Sequence, residues 1–239
     1  MKTVHLGQNK SLEGVPAAKI LTKMKRPKNL ISQFYGFDLW NIYEFPFLLR
    51  GTPQLRMIQI KFPQDFPVII ESKSMKLYAN SFYNKDFTKQ DQVIQRLKSD
   101  LKTKMLTPDI SFINKFENPS DNQIINHENI FKFEGFRSIC PVTSQPDWAT
   151  IYIYSKTNSL DRKFLNKYLL SFREQGDFHE SCIIQIFNTI LESLKSSSLN
   201  KNTHLEVVGK FLRRGGIDIN PIRSTHKQMF LGRFREIQQ

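Results

Sequence analysis

The chain has 239 residues, 39% of them hydrophobic, and a formal net charge of +13. Its two cysteines are too few for a disulfide scaffold, and no window approaches about eighteen consecutive apolar residues, which excludes an ordinary transmembrane helix. The start of the chain shows no signal-peptide core, so we expect a soluble, cytoplasmic protein with a sizeable core. The excess of Lys and Arg predicts attraction to something anionic: nucleic acid, a membrane surface or a phosphorylated small molecule.

The first half of the chain predicts two strands joined by a hairpin turn at Arg50–Gln54, then two helices and a strand. The strands follow from apolar and aromatic runs, and the helices from apolar residues that recur three or four positions apart. In chain order the elements are Phe37–Leu49, Leu55–Phe62, Ser74–Phe82, the helix of Val93, Leu97 and Leu101, and Ile110–Phe116.

The second half predicts the same order of elements and closes with a hairpin at Gly215-Gly216. The elements are Phe131–Ile139, Ala149–Tyr154, the helix of Leu165, Tyr168, Leu169 and Phe172, the helix of Ile183, Phe187, Ile190, Leu191 and Leu194, and the hairpin of Leu205–Leu212 with the run from Ile217. We therefore expect an N-terminal arm at 1–30, one half at 31–116, a polar connector at 117–130 and a second half at 131–239.

A sequence echo supports a duplicated fold. Only the second copy continues into an imidazole and a carboxyl, His179-Glu180, where the first copy has Thr88-Lys89, so we expect a site assembled between unlike halves. The echo joins Lys76-Leu77-Tyr78, Ser81-Phe82 and Asp86-Phe87 to Lys167-Tyr168, Ser171-Phe172 and Asp177-Phe178.

One short stretch of the second half concentrates reactive groups. Cys140 is followed by Asp147, and His179 and Glu180 come some thirty residues later. A thiolate attacks electrophilic carbon, and a nearby carboxyl can protonate the atom that becomes negative in that attack. These residues predict an enzyme with a cysteine nucleophile.

Four separated segments resemble the nitrile reductases of queuosine biosynthesis, the 7-cyano-7-deazaguanine reductases or QueF family, in the order of its two-module members. The segments are Glu71-Ser72-Lys73-Ser74-Met75-Lys76-Leu77-Tyr78, Cys140 to Asp147-Trp148, Phe178-His179-Glu180, and Arg213-Arg214-Gly215-Gly216-Ile217-Asp218-Ile219-Asn220-Pro221. The resemblance covers most of the chain beyond residue 30. It implies an α+β protein of tandem tunnelling-fold halves, with antiparallel sheets backed by helices, that forms a homodimer.

The resemblance also implies a reaction, the reduction of the nitrile of 7-cyano-7-deazaguanine to 7-aminomethyl-7-deazaguanine with two NADPH. Cys140 would form a covalent thioimide with the nitrile carbon, and Asp147 would protonate the nitrogen. His179 would carry protons between steps and contact the base, while Glu180 would accept hydrogen bonds from the guanine-like edge. No metal and no stable nucleic-acid complex are implied.

The remaining implied contacts involve the first-half motif and the glycine turn. Ile70, Glu71 and Ser72 would add to the substrate site. Ser72, Lys73, Arg214 and Gly215 would face the phosphates of NADPH, since glycine permits close approach and cations pair with phosphate. No Gly-x-Gly-x-x-Gly follows a predicted strand, so this dinucleotide site is not of the Rossmann type.

Simpler structural roles stay open for these residues. Asp177 and Glu180 have the spacing of a helix N-cap and its reciprocal carboxylate, and His179 would then only begin a helix. Asp147 fits a turn residue, and Gly215-Gly216 is first of all a turn. The segment Glu71-Ser72-Lys73 fits a solvated loop. For Cys182, beside the apolar helix stripe, we predict a place in the core.

Two other functional classes also stay open. Cys140, His179 and Cys182 could supply a catalytic zinc site, as in a tunnelling-fold cyclohydrolase, although no Glu-His-His follows the cysteine here. A non-catalytic, basic RNA-binding module would suit the charge of +13 and the 12% aromatic content.

Overall fold

The structure is a computed structural model that describes residues 16–26, 34–116, 129–156, 160–196, 204–227, 229, 231, 234–236 and 239. Most of the predicted arm and connector lies outside these residues. The chain forms two compact units, and the predicted domain boundaries stay predictions. The first unit contains Met1–Ile31, Leu39–Asn114 and Arg214–Ile217, and the second Ser32–Asp38, Lys115–Arg213 and Asp218–Gln239.

The first unit combines a sheet in the order β6-β3-β2, a small β1-β4 sheet and the helices between them. A short strand, β5, pairs in parallel with the end of β2. The elements are α1 Ala17–Ile20, β1 Lys23–Lys25, β2 Tyr35–Leu49, β3 Thr52–Pro63, β4 Val68–Ile70, α2 Ser72–Asn80, β5 Asp86–Phe87, α3 Gln90–Lys102 and β6 Asp109–Ile113. The predicted hairpin between β2 and β3 is confirmed, with Arg50 at φ +52° and Gly51 at φ +75° in a two-residue turn.

The second unit contains an antiparallel sheet in the order β10-β9-β8-β7. Its elements are β7 Ile130–Ile139, β8 Pro146–Ser155, α4 Arg162–Leu170, α5 His179–Ser196, β9 Leu205–Phe211 and β10 Ile217–Ser224, with a 3₁₀ turn over Ser171–Glu174. The predicted turn at Gly215-Gly216 is present, with φ +60° and +80°. Both units thus have helices beside mainly antiparallel sheets, which confirms the predicted α+β class.

The core of the second unit lies between its sheet and the two helices. Buried residues of α4 and α5 pack on alternate residues of β7, β8 and β9, including Ile183, Phe187 and Phe211. A Cβ on Gly209 of β9 would come within 2.7 Å of both Ile183 and Phe211, so the bare glycine lets helix and strand approach closely. In the described residues, no helix is both long and apolar enough to span a membrane.

A tyrosine hydroxyl joins the helices α2 and α3 of the first unit, and its ring packs on the turn that follows α2. The Tyr78 ring packs edge-on against Phe82 at 5.2 Å, and the Ser81 hydroxyl donates to the Tyr78 carbonyl at 2.7 Å. The Tyr78 hydroxyl donates to Asp100 on α3 at 3.0 Å. Burial and the neighbouring Asp100 carboxylate raise the pKa of Tyr78, so this hydroxyl stays protonated.

The second unit repeats each of these contacts. Tyr168 packs edge-on against Phe172 at 5.4 Å, and the Ser171 hydroxyl donates to the Tyr168 carbonyl at 2.6 Å. The Tyr168 hydroxyl lies 2.9 Å from the Thr189 hydroxyl on α5. Asp100 and Thr189 occupy the same position counted from the start of their helices. The predicted duplication is therefore present in the packing as well as in the sequence.

The structure corrects one detail of the echo. Since α3 begins at Gln90 and α5 at His179, the first-half counterpart of His179–Glu180 is Gln90–Asp91 and not Thr88–Lys89. After the Asp-Phe pair the first half has two further residues, Thr88 and Lys89, before its helix begins, which shifts the match by two positions. The first half still has no imidazole at this point.

Candidate active site

Cys140 begins the loop that joins β7 to β8. Its N–H donates to the Gln145 carbonyl at 2.9 Å, and its own carbonyl accepts from the Ser144 N–H at 2.9 Å. Ser144 adopts φ +56°, a conformation that side chains other than glycine rarely take. The thiol is partly exposed, so the closed loop holds it where a ligand can reach it.

The strand that ends at Cys140 also fixes the segment that leads into α5. The Ile139 N–H donates to the Gln175 carbonyl at 2.8 Å, and the Asp177 N–H donates back to the Ile139 carbonyl at 3.0 Å. Two residues earlier, the Arg137 guanidinium donates to the Arg173 carbonyl. The Cys140 loop and the segment that leads into α5 are therefore anchored to the same end of β7.

His179, the first residue of α5, lies against Asp147, near the start of β8. The distance from His179 Nε2 to Asp147 Oδ2 is 3.2 Å, with the two side chains 19% and 7% exposed. The His179 ring also stacks on Phe211, with the ring centroids 4.1 Å apart. A carboxyl and an imidazole that are shielded in this way can exchange a proton with each other and with a bound ligand.

Glu180 is buried, 5% exposed, in the first turn of α5. A carboxylate is favoured there because the helix N-terminus carries partial positive charge. Asp177 is not the N-cap of this helix. Because α5 begins at His179, the N-cap position is Phe178, and Asp177 precedes it by one residue. Its carboxylate accepts from the Phe178 N–H at 2.8 Å and from the Gln185 side chain.

Cys182 is fully buried in the core of the second unit, as predicted. Burial, reinforced by the Asp177 carboxylate, raises the pKa of its thiol. The described residues contain no group of three or more His, Cys, Asp or Glu side chains that could hold a metal ion. The zinc alternative requires Cys140, His179 and Cys182 to form such a group, and these three residues do not form one in the described part of the chain.

Glu71 is the N-cap of α2 and not part of a solvated loop. Its carboxylate accepts from the N–H groups of Lys73 at 2.9 Å and Ser74 at 2.7 Å, and the residue is 9% exposed. Its own N–H donates to the Thr22 carbonyl at 2.9 Å. The preceding residue, Ile70, is 4% exposed and ends β4. A carboxylate has further acceptor sites, so the cap leaves room for a ligand donor.

The basic residues assigned to a cofactor share the first unit with the glycine turn. Ser72 and Arg214 are exposed and Lys73 is partly exposed. Lys76, which the sequence analysis did not assign, follows Lys73 by one helical turn, and a Cβ on Gly215 would lie 2.7 Å from its Nζ. Two like charges three residues apart on a helix repel each other, and a bound anion would relieve this repulsion. The bare glycine beside an ammonium thus suits a phosphate-bearing group.

Two family models match the chain. One, described as nitrile reductase, 7-cyano-7-deazaguanine-reductase N-term, matches residues 8–111, and the other, described as QueF-like protein, matches residues 146–229. Ile70 to Lys73 lie in the first range, and Asp147, His179, Glu180, Arg214 and Gly215 in the second. Cys140 lies between the two ranges.

Curated relatives match most of the chain, and each is named NADPH-dependent 7-cyano-7-deazaguanine reductase. The relative from Desulfotalea psychrophila is 35% identical over 230 residues, 83% of this chain and 81% of its own length. The relative from Buchnera aphidicola subsp. Schizaphis graminum is 37% identical, over 84% of this chain and 87% of its own length, and the relative from Legionella pneumophila (strain Corby) is 34% identical, over 83% and 79%.

These matches, together with the helix-backed antiparallel sheets, define the class as a nitrile reductase of α+β architecture. The chain belongs to the 7-cyano-7-deazaguanine reductase (QueF) family.

Proposed function

We propose that this protein reduces the nitrile of 7-cyano-7-deazaguanine to the aminomethyl group of 7-aminomethyl-7-deazaguanine with NADPH, a step of queuosine biosynthesis. The observation that carries the proposal is the His179–Asp147 pair, 3.2 Å apart. The segment that leads to His179 and the loop of the partly exposed Cys140 are held at the same end of β7. Family membership supplies the substrate class.

Cys140 is the proposed nucleophile. Its thiolate attacks the nitrile carbon and forms a carbon–sulfur bond, while one electron pair of the C≡N bond moves to the nitrogen. Asp147 donates a proton to that nitrogen, so the product of the step is a neutral thioimide bound to Cys140. Cys182 takes no part, because its buried thiol stays protonated.

His179 is the proposed proton carrier. After Asp147 has donated its proton, the Nε2 of His179 is close enough, at 3.2 Å, to return one. Phe211 stacks on the His179 ring and keeps it facing Asp147. The low exposure of both side chains excludes competing water.

Two sets of residues are proposed to recognise the substrate. In the second unit Glu180 and His179 would accept or share hydrogen bonds with the guanine-like edge of the base. In the first unit the Glu71 carboxylate, the Ser72 hydroxyl and the Ile70 main chain would contribute. A carboxylate that faces paired N–H donors makes a strong, directional contact.

Lys73, Lys76 and Arg214 are proposed to hold the phosphates of NADPH, with Ser72 as a hydroxyl donor and Gly215 allowing close approach. The fit is one of charge and space: basic side chains occupy successive turns of α2, and the Gly215 Cα lies bare beside the Lys76 ammonium. When bound, NADPH supplies the hydride equivalents of the reduction. Replacement of Lys76 by Ala should raise KM for NADPH and leave the thiol adduct unaffected.

The assembly and location of the protein are also part of the proposal. The two-module order of motifs supports a homodimer, and the paucity of cysteines supports a cytoplasmic location. The proposed substrate is a small molecule, and its reduction requires no stable nucleic-acid complex. Light scattering of the purified protein tests the dimer. RNA binding that falls steeply with salt and is indifferent to Cys140→Ala would favour the RNA-binding alternative.

The test of function has two arms. Oxidation of NADPH should depend on added 7-cyano-7-deazaguanine and vanish in Cys140→Ala, while Cys182→Ala keeps the activity. Without NADPH, the intact protein should gain the mass of the base, and Cys140→Ala should not. A Cys140→Ala variant that still reduces the nitrile, or activity that requires stoichiometric zinc, would contradict the proposal.

A further inference from the structure

Ser138 carries a buried hydroxyl that the mechanism above does not use. The residue is 0% exposed, and its Oγ makes no geometrically good hydrogen bond within the described part of the chain. The Cys182 thiol, a weak acceptor, lies near this hydroxyl. A buried hydroxyl without a good partner destabilises the fold and is uncommon in proteins, so it calls for a functional explanation.

The sheet register places this hydroxyl opposite Asp147. Ser138 on β7 and Asp147 on β8 are direct cross-strand partners, so their side chains leave the same face of the sheet, with Cβ atoms roughly 4.5–5.5 Å apart in such pairs. Cys140, two residues beyond Ser138, begins the loop that follows this strand. A serine hydroxyl and a carboxylate in this relation can meet through side-chain rotation alone.

We propose that Ser138 is a positioning residue of the reductase site, whose hydroxyl turns from the Cys182 thiol to the Asp147 carboxylate once Asp147 has given up its proton. The inference rests on the proposed function, in which Asp147 protonates the nitrile nitrogen. Ser138 forms and breaks no covalent bond.

The chemistry of Asp147 explains why a second donor is useful at that moment. Before the transfer, the neutral carboxyl carries its own proton and gains little from another donor. Afterwards Asp147 is a carboxylate, 7% exposed at its side chain, with the His179 Nε2 at 3.2 Å. A hydrogen bond to a buried charged group is strong. If the bond forms only as the charge develops on Asp147, it stabilises the transition state of the proton transfer and does not strengthen the binding of substrate.

The test separates rate from stability. Ser138→Ala should slow formation of the thiol adduct, measured by stopped flow without NADPH, roughly tenfold to hundredfold. The dissociation constant of the base, measured in Cys140→Ala with and without Ser138→Ala, should stay within about twofold. Ser138→Thr, which keeps the hydroxyl, should recover a large part of the rate.

Ser224→Ala is the matched control, because Ser224 is also 0% exposed but its hydroxyl accepts from the His226 N–H at 3.0 Å. We expect Ser224→Ala to lower Tm and keep the adduct rate, and Ser138→Ala to keep or raise Tm. An unchanged adduct rate in Ser138→Ala, or a Tm loss equal to that of Ser224→Ala, would overturn the inference. A failure of the proposed function itself would give a different result, namely a normal rate of adduct formation in Asp147→Asn.

Discussion

His179 Nε2 and Asp147 Oδ2 lie 3.2 Å apart, although the two residues come from a helix start and a strand start that are 32 positions apart in the chain. The contact exists because Asp177, two residues before His179, pairs with Ile139 at the end of β7. Main-chain pairing, and not the side chains alone, brings the acid and the imidazole together.

Loss of the acid should therefore abolish turnover without unfolding the protein. We expect Asp147→Asn to lower kcat by about 10²- to 10⁴-fold, the usual effect of a general acid, as measured by NADPH oxidation with the nitrile base. Glu174→Gln serves as the control, since that carboxylate is 86% exposed beside Arg137. Comparable losses in the two variants would indicate a general charge effect.

The two cysteines should differ sharply toward alkylation. Because burial raises the pKa of Cys182, its thiol stays protonated even at moderately alkaline pH, and the surrounding core shields it from reagents. Cys140 is partly exposed. Treatment of the native protein with iodoacetamide should label Cys140 alone, as peptide mass mapping would reveal, and denaturant should make Cys182 reactive. Labelling of Cys182 at the rate of Cys140 in the native state would refute the assignment.

The buried ion pair of Asp38 and Arg223 should be important for stability. The Arg223 Nη2 lies 2.6 Å from the Asp38 Oδ1, with side-chain exposures of 0% and 2%. Asp38→Ala leaves an uncompensated buried charge and should cost about 3–5 kcal/mol in the free energy of unfolding. Glu134→Ala, which breaks the exposed pair with Lys132, should cost less than about 1 kcal/mol. Denaturant unfolding of both variants distinguishes the two cases.

Gly209 should tolerate no side chain. Gly209→Ala forces its methyl group against Ile183 and Phe211 at 2.7 Å, which we expect to cost about 1–3 kcal/mol of stability through overpacking. Activity should also fall, because Phe211 supports the His179 ring. Gly176→Ala is the control: its nearest neighbour would be the Ile139 carbonyl at 3.7 Å, an ordinary contact. Equal Tm values for the two variants would contradict this account of the packing.

The long elements of the fold could be predicted because each has one apolar face with a clear period. Thus β7, β8 and α5 fall within a few residues of their predicted ranges. The strands β1, β4 and β5 are two or three residues long and leave no periodic signal. Helix α2 starts two residues earlier than predicted because its cap is Glu71, a residue type that is uncommon at this position.

The candidate site was predicted as a set of residues but not as a geometry. The motifs indicated Cys140, Asp147 and His179, whereas the stacking of Phe211 on His179 depends on the register between β8 and β9. No local pattern marks Lys76 or Ser138 either. Their surroundings arise from the Gly215 turn and from strand pairing, which are non-local.

The pairing of Ile139 with the segment at Gln175–Asp177 has an evolutionary consequence. Both hydrogen bonds join main-chain atoms, so they can form with almost any side chain at the paired positions. Proline is the exception at Ile139 and at Asp177, because it would remove the N–H that donates. Gln175 and Gly176 are exposed and donate no proton to this pairing. Neutral drift can accordingly change those two residues while the main-chain link between the Cys140 loop and the start of α5 is inherited unaltered.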